Sequence, residues 1–488
     1  ASAALAAAPA ALSATPPDRP FLVVITAYGG ASITDSVLAV TRGACAAAGG
    51  DPASTVVFDD YPLGGPSGPG WATARPVPDS PFHAVSWRGS VNFGQPLTRT
   101  IDHFDFLQRH KHHLLAITQT VTSVNHDTAQ YRAVTGSGAW RGRTLQEEVA
   151  AAHGQSDPLP NVLLTTGSGF VRAGLDDTLD PRFRGELAVD PLLWPLSLER
   201  SAAIPGVDPA AVALAARLRD DRLDPRSPTV RAYGARDPLA AFLDARTRRQ
   251  PELERAALLS KLNLLPPSVT AGFDLARAPE AEDLYARLDG LAEDPVFAQA
   301  ALAYLLFKHR ISTSVTLGPS SANVFLQGAD GIDLRSLSLG FDASHTDHWS
   351  GQVWMWDRVF TLVDALVDLL DDEPFDDGSS LWDHTVLVVA TEFGRGRVRP
   401  PDALQFPSGH DLDNGVLIFS PRVTGNRVIG GVDPATTRPY GIEASDPTLR
   451  TPDPGARMNE SHVYAAVLAA AGVDTTGSGL PDMSGVLP

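Results

Sequence analysis

The run Thr385 to Ala390, TVLVVA, constrains this chain more than any other stretch, because its β-branched and aliphatic residues leave no polar face for water. It has the length and composition of a strand buried on both sides, as in a parallel α/β sheet, and lacks the alternation of a strand with one wet face. The run ends abruptly in Thr391-Glu392-Phe393-Gly394-Arg395, which delivers an acid to a strand tip. In parallel sheets ligands sit at the carboxyl ends of the strands, and Glu392 falls there. A solvated Glu392–Arg395 turn pair is the alternative for the same residues.

Other segments share this form. Phe21 to Thr26 (FLVVIT) runs into Tyr28-Gly29-Gly30 and then a helical stretch from Thr34 to Ala48, giving strand, glycine turn and helix. Leu114 to Val121 ends at Thr122-Ser123-Val124-Asn125-His126, and Asp127 to Val134 starts a helix that Thr135-Gly136 closes. Asn161 to Thr166, Thr313 to Leu317 and Leu337 to Leu339 read as further strands, and so does Gly415 to Phe419, which comes after His410-Asp411-Leu412-Asp413. Just past Leu339, Asp342, His345, Asp347 and His348 form the densest cluster of potential metal ligands in the chain.

The remaining segments fill in an architecture. Trp356, Val359, Phe360, Val363, Leu366, Val367 and Leu370 repeat at helical spacing, which predicts a core helix with Asp357, Asp364, Asp368 and Asp371 on a solvated face. Between Pro195 and Arg310 the composition shifts to Ala, Arg, Leu and Asp in amphipathic stretches: Val212 to Arg219, Pro238 to Arg246, Glu252 to Leu264 and Ala281 to Leu291. They predict a helical insertion at 195–310. Thr55 to Phe58 reads as a short strand, and Tyr61 to Pro81, dense in Gly and Pro, as a long surface loop. His110, His112 and His113 read as a solvated helix end rather than a metal site. The fold expected is a doubly wound, mostly parallel α/β sheet, one large domain over 20–488 preceded by an arm over 1–19.

With 488 residues and a net charge of −18, the chain can bury a large core, and its acidity argues against nucleic-acid and anionic-membrane partners. Cys45 is the sole cysteine, which excludes an internal disulfide and a cysteine-built metal site. No apolar run reaches the roughly 18 residues that a membrane span requires. The alanine-rich start, Ala1 to Ser13, is similar to the tail of an export signal, so an exported protein is expected; a flexible arm or a helix that docks on a neighbour is the alternative.

Three groups offer oxygen or imidazole ligands near strand ends: Asp342, His345, Asp347 and His348; Glu392; and His410, Asp411 and Asp413. Mixed nitrogen and oxygen ligation suits Zn²⁺, Mn²⁺ or Fe, which can clamp a phosphate or sulfate ester and activate water. His126 is a candidate ligand, nucleophile or general acid.

The order of motifs resembles the exported domain of unknown function 1501 family, which is similar to the alkaline phosphatase and sulfatase superfamily. The resemblance rests on FLVVITAYGG, NHDTAQYRAVTG, GRTLQEEVAAAHG with LPNV, GFDASH, DHTVLVVATEFGR with NRVIGGVD, and SHVYAAVLAAAGVD, of which TEFGR after a buried strand is the most specific. It implies a doubly wound fold, export by a twin-arginine type signal and, in catalytic members, a two-metal site. Carried over by position, the nucleophile's place falls on His126, with Thr128 nearby, and Arg395 closes the TEFGR motif. Asp342 and His345 match a motif usually spaced Asp-x-His, and Glu392 stands where the phosphatases have an Asp-His ligand pair. Tyr28 occupies the place of a metal-binding aspartate, and Gly409-His410-Asp411-Leu412 stands for Gly-x-Asp-His. These departures imply one divalent metal (Zn, Mn or Ca) or none, rather than two.

Two functions are expected on these grounds. One is an exported metal-dependent hydrolase of small or polymeric phosphate or sulfate esters. Its metal would be held by residues among Asp342, His345, His348, Glu392, His410 and Asp411, with His126, Thr128 and Arg395 as candidate catalytic residues. The other is a non-catalytic extracellular binding or assembly protein on the same fold, with a protein partner or itself as partner.

Overall fold

The computed structural model describes residues 19–198, 214, 257–319 and 323–488, except 60, 64–69, 89, 93–95, 99, 166–167, 271–274, 329–330, 337–339, 404, 444–445 and 452. The arm at 1–18, the stretch Pro238 to Arg246, most of Val212 to Arg219, the start of Glu252 to Leu264 and the strand expected at Leu337 to Leu339 lie outside these residues.

Eight strands form the central sheet: β1 (Phe21–Thr26), β2 (Leu114–Thr120), β3 (Asn161–Leu164), β4 (Glu186–Leu187), β5 (Ser314–Leu317), β6 (Thr385–Ala390), β7 (Asp413–Phe419) and β8 (Arg427–Ile429). Their spatial order is β8-β2-β7-β6-β1-β5-β3-β4. All pairings are parallel except the two made by β7, which runs against its neighbours β6 and β2. β1 and β6 lie in register over their whole length, from Phe21 opposite Thr385 to Thr26 opposite Ala390.

The apolar runs are continuous because both faces of the sheet are covered. Phe21, Val23 and Ile25 of β1, with Leu387 and Val389 of β6, join a core on one face, while Leu22 and Val24, with Val386 and Val388, join a second core on the other. The first core is completed by helices α1 (His103–His110), α4 (Pro295–Lys308) and α5 (His348–Asp371), and the second by α2 (His126–Thr135), α3 (Leu145–His153) and α6 (Glu460–Ala470).

The helix ends are written in the sequence. Asn125 caps α2 by accepting from the Thr128 N–H, and Gly136 ends it in the left-handed conformation. Thr144 and Glu147 form a reciprocal capping box on α3. Asp347 caps α5 through the Ser350 N–H, and Asp294 caps α4 with Pro295 in its first turn. Within 195–310, Leu258, Leu262 and Leu284 bury in the same core as Phe21, so this described part packs on the main domain.

Several expectations give way. The supposed surface loop at Tyr61 to Pro81 contains strands Tyr61–Leu63 and Gly70–Pro76, which continue into His83–Arg88 as an antiparallel sheet. Gly and Pro punctuate strand ends there, and Ala72, Ala84, Val85 and Trp87 pack into the main core. Thr55 to Phe58 makes only isolated bridges, Thr55 with Val398 and Phe58 with Thr41. Asn323–Gly328 and Gly331–Ser336 pair as a hairpin within the polar excursion before Gly340.

The acids of α5 do not form one solvated face. Asp368 and Asp371 are exposed, but Asp357 is fully buried and accepts from the Thr100 and Ile101 N–H groups and the Thr100 hydroxyl. Asp364 takes Arg109 and His110, so the His110 end of α1 is a buried polar anchor rather than a solvated terminus. The helical period is as the spacing predicts. The difference arises because α1 and the Thr100 segment cover that side of the helix. Asp357→Ala strands these donors and is expected to cost about 3 kcal/mol, whereas Asp371→Ala stays within about 0.5 kcal/mol, read by chemical denaturation.

Candidate metal centre

β1, β2 and β6 end at one edge of the sheet, and β7, running the other way, begins there. The turn after β1, the loop from β2 into α2, the residues after β6 and those before β7 therefore meet. The short helical turn Phe341–His345 joins them.

The turn Tyr28-Gly29-Gly30 is the hub. Gly29 and Gly30 have φ of 93° and 79°, and a Cβ on Gly29 would lie 2.2 Å from the Asp342 nitrogen, so only glycine permits this approach. Glu392 accepts from the Gly29 N–H at 3.0 Å, Thr391 from the Ala31 N–H at 3.0 Å, and Gln352 of α5 bonds both the Ser32 N–H and the Gly30 carbonyl. The Phe341 N–H donates to the Tyr28 carbonyl at 2.8 Å.

Arg395 is fully buried and spreads its guanidinium across three segments. It donates to the Gly29 carbonyl, to the Phe341 carbonyl at 3.2 Å, to the Ser408 carbonyl at 3.1 Å and to Asp342 Oδ1 at 2.8 Å. Its remaining direction faces His345 Nε2 at 3.2 Å. Glu392 is equally buried, and the two do not pair with each other, so the solvated turn pair is excluded. Arg397 and Arg399 come next on alternate positions and are also buried. Arg397 bonds Ser32, Thr34 and Asp35, and Arg399 bonds the carbonyls of Pro52, Thr55 and Ala403.

His126, the first residue of α2, places Nδ1 2.7 Å from Glu392 Oε1 and Nε2 3.7 Å from Asp342 Oδ2. Glu392 Oε1 also receives Gly29 N–H and Gln130 Nε2 at 3.3 Å, an acceptor's role that assigns the shared proton to His126 Nδ1. His410 places Nδ1 2.9 Å from the Val124 carbonyl, and a carbonyl only accepts, so that nitrogen carries the proton. Both rings thus turn an Nε2 lone pair inward. His345 Nε2 lies 2.9 Å from His410 Nε2 and 3.7 Å from Asp342 Oδ1, and it accepts from Arg395.

This donor set fits a divalent metal. Ligand atoms of His126, Asp342 and His410 lie within 4.8 Å of one another, the one such group among the described residues. A tetrahedral ion at 2.0–2.1 Å separates its ligands by about 3.3 Å, and within this group His126 Nε2 and Asp342 Oδ2 stand 3.7 Å apart. His345 Nε2 and His410 Nε2 stand within hydrogen-bond distance of each other, with Arg395 also against the His345 nitrogen. Histidines whose outer nitrogen is held by a carboxylate or a carbonyl are the usual metal-site arrangement.

The electrostatics agree. The hydrogen bond to Glu392 raises the His126 pKa against the effect of burial, and burial raises that of Glu392. Burial and the Arg395 charge lower the pKa of His345, and burial also lowers that of His410, which favours the neutral form of both rings. Glu392 Oε2 is buried with no hydrogen-bond partner among the described residues.

Not all the sequence candidates reach this centre. Asp342, His345, His410, Glu392, Arg395 and His126 converge, with Glu392 bound to the outer nitrogen of His126 and Arg395 serving as the brace. Thr128 is exposed on α2, and its N–H serves the Asn125 cap. Asp411 accepts from the Asp413 N–H, and Asp413 is consumed by Thr120, Arg438 and Arg457. Asp347 is the α5 cap. His348 is fully buried elsewhere, its Nε2 3.3 Å from Asp35 and its ring against Trp349 and Phe406. Sequence reasoning missed Gln130, Gln352 and the Val124 carbonyl. Gln130 stands one helical turn from His126, and that spacing was its only signal.

Two substitutions test this account. Arg395→Lys cannot reach the Gly29, Phe341 and Ser408 carbonyls together, and the expected loss is about 3 kcal/mol or more in chemical denaturation. Asp35 is buried, which alone would raise its pKa, yet the charges of Arg397 and His348 hold its carboxyl well below the usual range. Such a group stabilises fully above the unfolded-state pKa, and the contribution fades as pH falls below it toward the folded value. Arg397→Gln should therefore flatten the fall of the denaturation midpoint on acidification below about pH 4.

No family model matches this chain, and no curated protein matches its sequence.

Proposed function

We propose that this protein is a metal-dependent hydrolase of phosphate or sulfate esters, built on an alkaline-phosphatase-like α/β fold and working with a single divalent ion. The observation that carries this reading is the convergence of His126, Asp342 and His410, with His345 alongside, at the carboxyl edge of the sheet. The mixed nitrogen and oxygen set suits Zn²⁺ or Mn²⁺. When bound, such an ion supplies a water of lowered pKa and a Lewis acid for the ester oxygen.

The chain's own residues do the rest. Glu392 fixes the His126 tautomer, and the Val124 carbonyl fixes that of His410. Arg395 positions Asp342 and biases His345 Nε2 toward accepting. Tyr28 lies over His126, ring centroids 5.4 Å apart, and shields one side from bulk water. Among the described residues no serine, threonine or cysteine side chain hydrogen-bonds to this ligand set. The motif order of the export-associated family supports the same reading.

A second reading is favoured by Tyr28 itself, which stands where a second metal's carboxylate would be expected. Under it the chain is an extracellular binding or assembly protein that keeps the metal for structure. Metal analysis after purification and after incubation with Zn²⁺ or Mn²⁺ is the test. About one ion per chain is expected, with His126→Ala and His410→Ala each lowering affinity at least about tenfold. Hydrolysis of an aryl phosphate, aryl sulfate or diaryl phosphate that these variants abolish supports the enzyme. Retained metal without hydrolysis of any of the three supports the second reading, and absence of metal binding sinks both.

A further inference from the structure

Among the described residues the cationic side chain in contact with the ligand set is Arg395, and none of its N–H directions is free. Nε and Nη2 point to the Gly29 carbonyl, Nη2 also to Phe341 and Asp342, and Nη1 to Ser408 and His345. A guanidinium has five donors, and these are directed into the protein, so Arg395 braces the site without clamping a substrate. Set beside one divalent ion, the two carboxylates Asp342 and Glu392 and the Arg395 guanidinium leave the centre with about one net positive charge when the imidazoles are neutral. One negative charge on the substrate balances that; a second would remain uncompensated in a partly desolvated site.

The rim is apolar. Val124, two residues before His126, is 39% exposed, and Leu412, two residues after His410, is 43% exposed. The Leu412 carbonyl accepts from the Val121 N–H and the Val124 carbonyl holds His410, so both side chains ride on backbone fixed to the site. Tyr28 adds a half-exposed ring stacked on His126, and Phe393 closes the floor against His410 at 4.0 Å. Apolar side chains beside a few convergent polar groups are the composition of a small-molecule site.

Resting on the single-metal reading above, we propose that this site takes singly charged esters with an apolar body, sulfate monoesters or phosphate diesters, and discriminates against doubly charged phosphate monoesters. Val124, Leu412 and Tyr28 hold the apolar body, and the commitment of Arg395 to the protein's own acceptors sets the charge preference.

The test is equilibrium binding to the Zn²⁺-loaded full chain, by calorimetry, of three non-hydrolysable probes at a pH where the phosphonate is doubly ionised: hexane-1-sulfonate, methanesulfonate and hexylphosphonate. Hexane-1-sulfonate is expected to bind at least about tenfold more tightly than methanesulfonate, which requires burial of about two methylenes, and at least about tenfold more tightly than hexylphosphonate, whose chain is the same and whose head group carries the second charge. Val124→Ser with Leu412→Ser should abolish the preference for hexyl over methyl while the metal content stays that of the parent. Equal or tighter binding of hexylphosphonate, or a hexyl preference that survives the double substitution, overturns the proposal. A chain that binds metal and hydrolyses esters but fails this ranking loses only the substrate assignment; one that takes up no Zn²⁺ loses the underlying reading too.

Discussion

The buried Arg395 guanidinium is the interaction on which the rest of the site depends. Three peptide carbonyls and one carboxylate receive it, and they come from the turn after β1, the Phe341–His345 segment and the loop before β7. A charge taken out of water costs several kcal/mol unless such partners surround it, so the loops and the cation require one another. Two of these segments are loops and the third a single helical turn, and the guanidinium ties all three together and orients Asp342.

The reversed strand explains how four parts of the chain meet at one edge. β1, β2 and β6 bring their C-terminal loops to it, whereas β7 brings its N-terminal one, so His410 enters beside His126 and Glu392 without a crossover. A fully parallel arrangement would have sent the residues before β7 to the opposite edge of the sheet. Within this frame the outer nitrogens of His126 and His410 are held by groups of different kinds, a carboxylate and a peptide carbonyl. The first makes its imidazole a stronger base than the second, which gives the two ligands unequal donor strength.

The strands were legible because burial on both faces leaves an unbroken apolar run, as in TVLVVA and FLVVIT. The caps were legible too, since Asn125 and Gly136 mark both ends of α2. Local sequence does not record what covers a helix: Asp357 and Asp364 share a period with Asp368 and Asp371, and only the packing of α1 and the Thr100 segment separates buried from exposed. The ligand cluster was legible in part. Asp342 and His345 sit in one motif, but His348, three residues on, points into a different buried network with Asp35, because it already belongs to α5. Glu392 was recognisable as a site residue, and its place behind His126 was not, since that depends on where β2 ends relative to β6.

The alternation Arg395, Arg397, Arg399 has one more consequence. In an extended backbone every second side chain shares a face, and here that face points inward, where each guanidinium meets a different part of the chain. The segment therefore behaves like a key cut at a fixed pitch. Losing or gaining one residue between Arg395 and Arg399 would turn at least one cation toward solvent and bring an apolar or small residue to a lock shaped for charge. Length here is as tightly set as identity, and variation in loop size has to accumulate elsewhere, beyond the last tooth at Arg399.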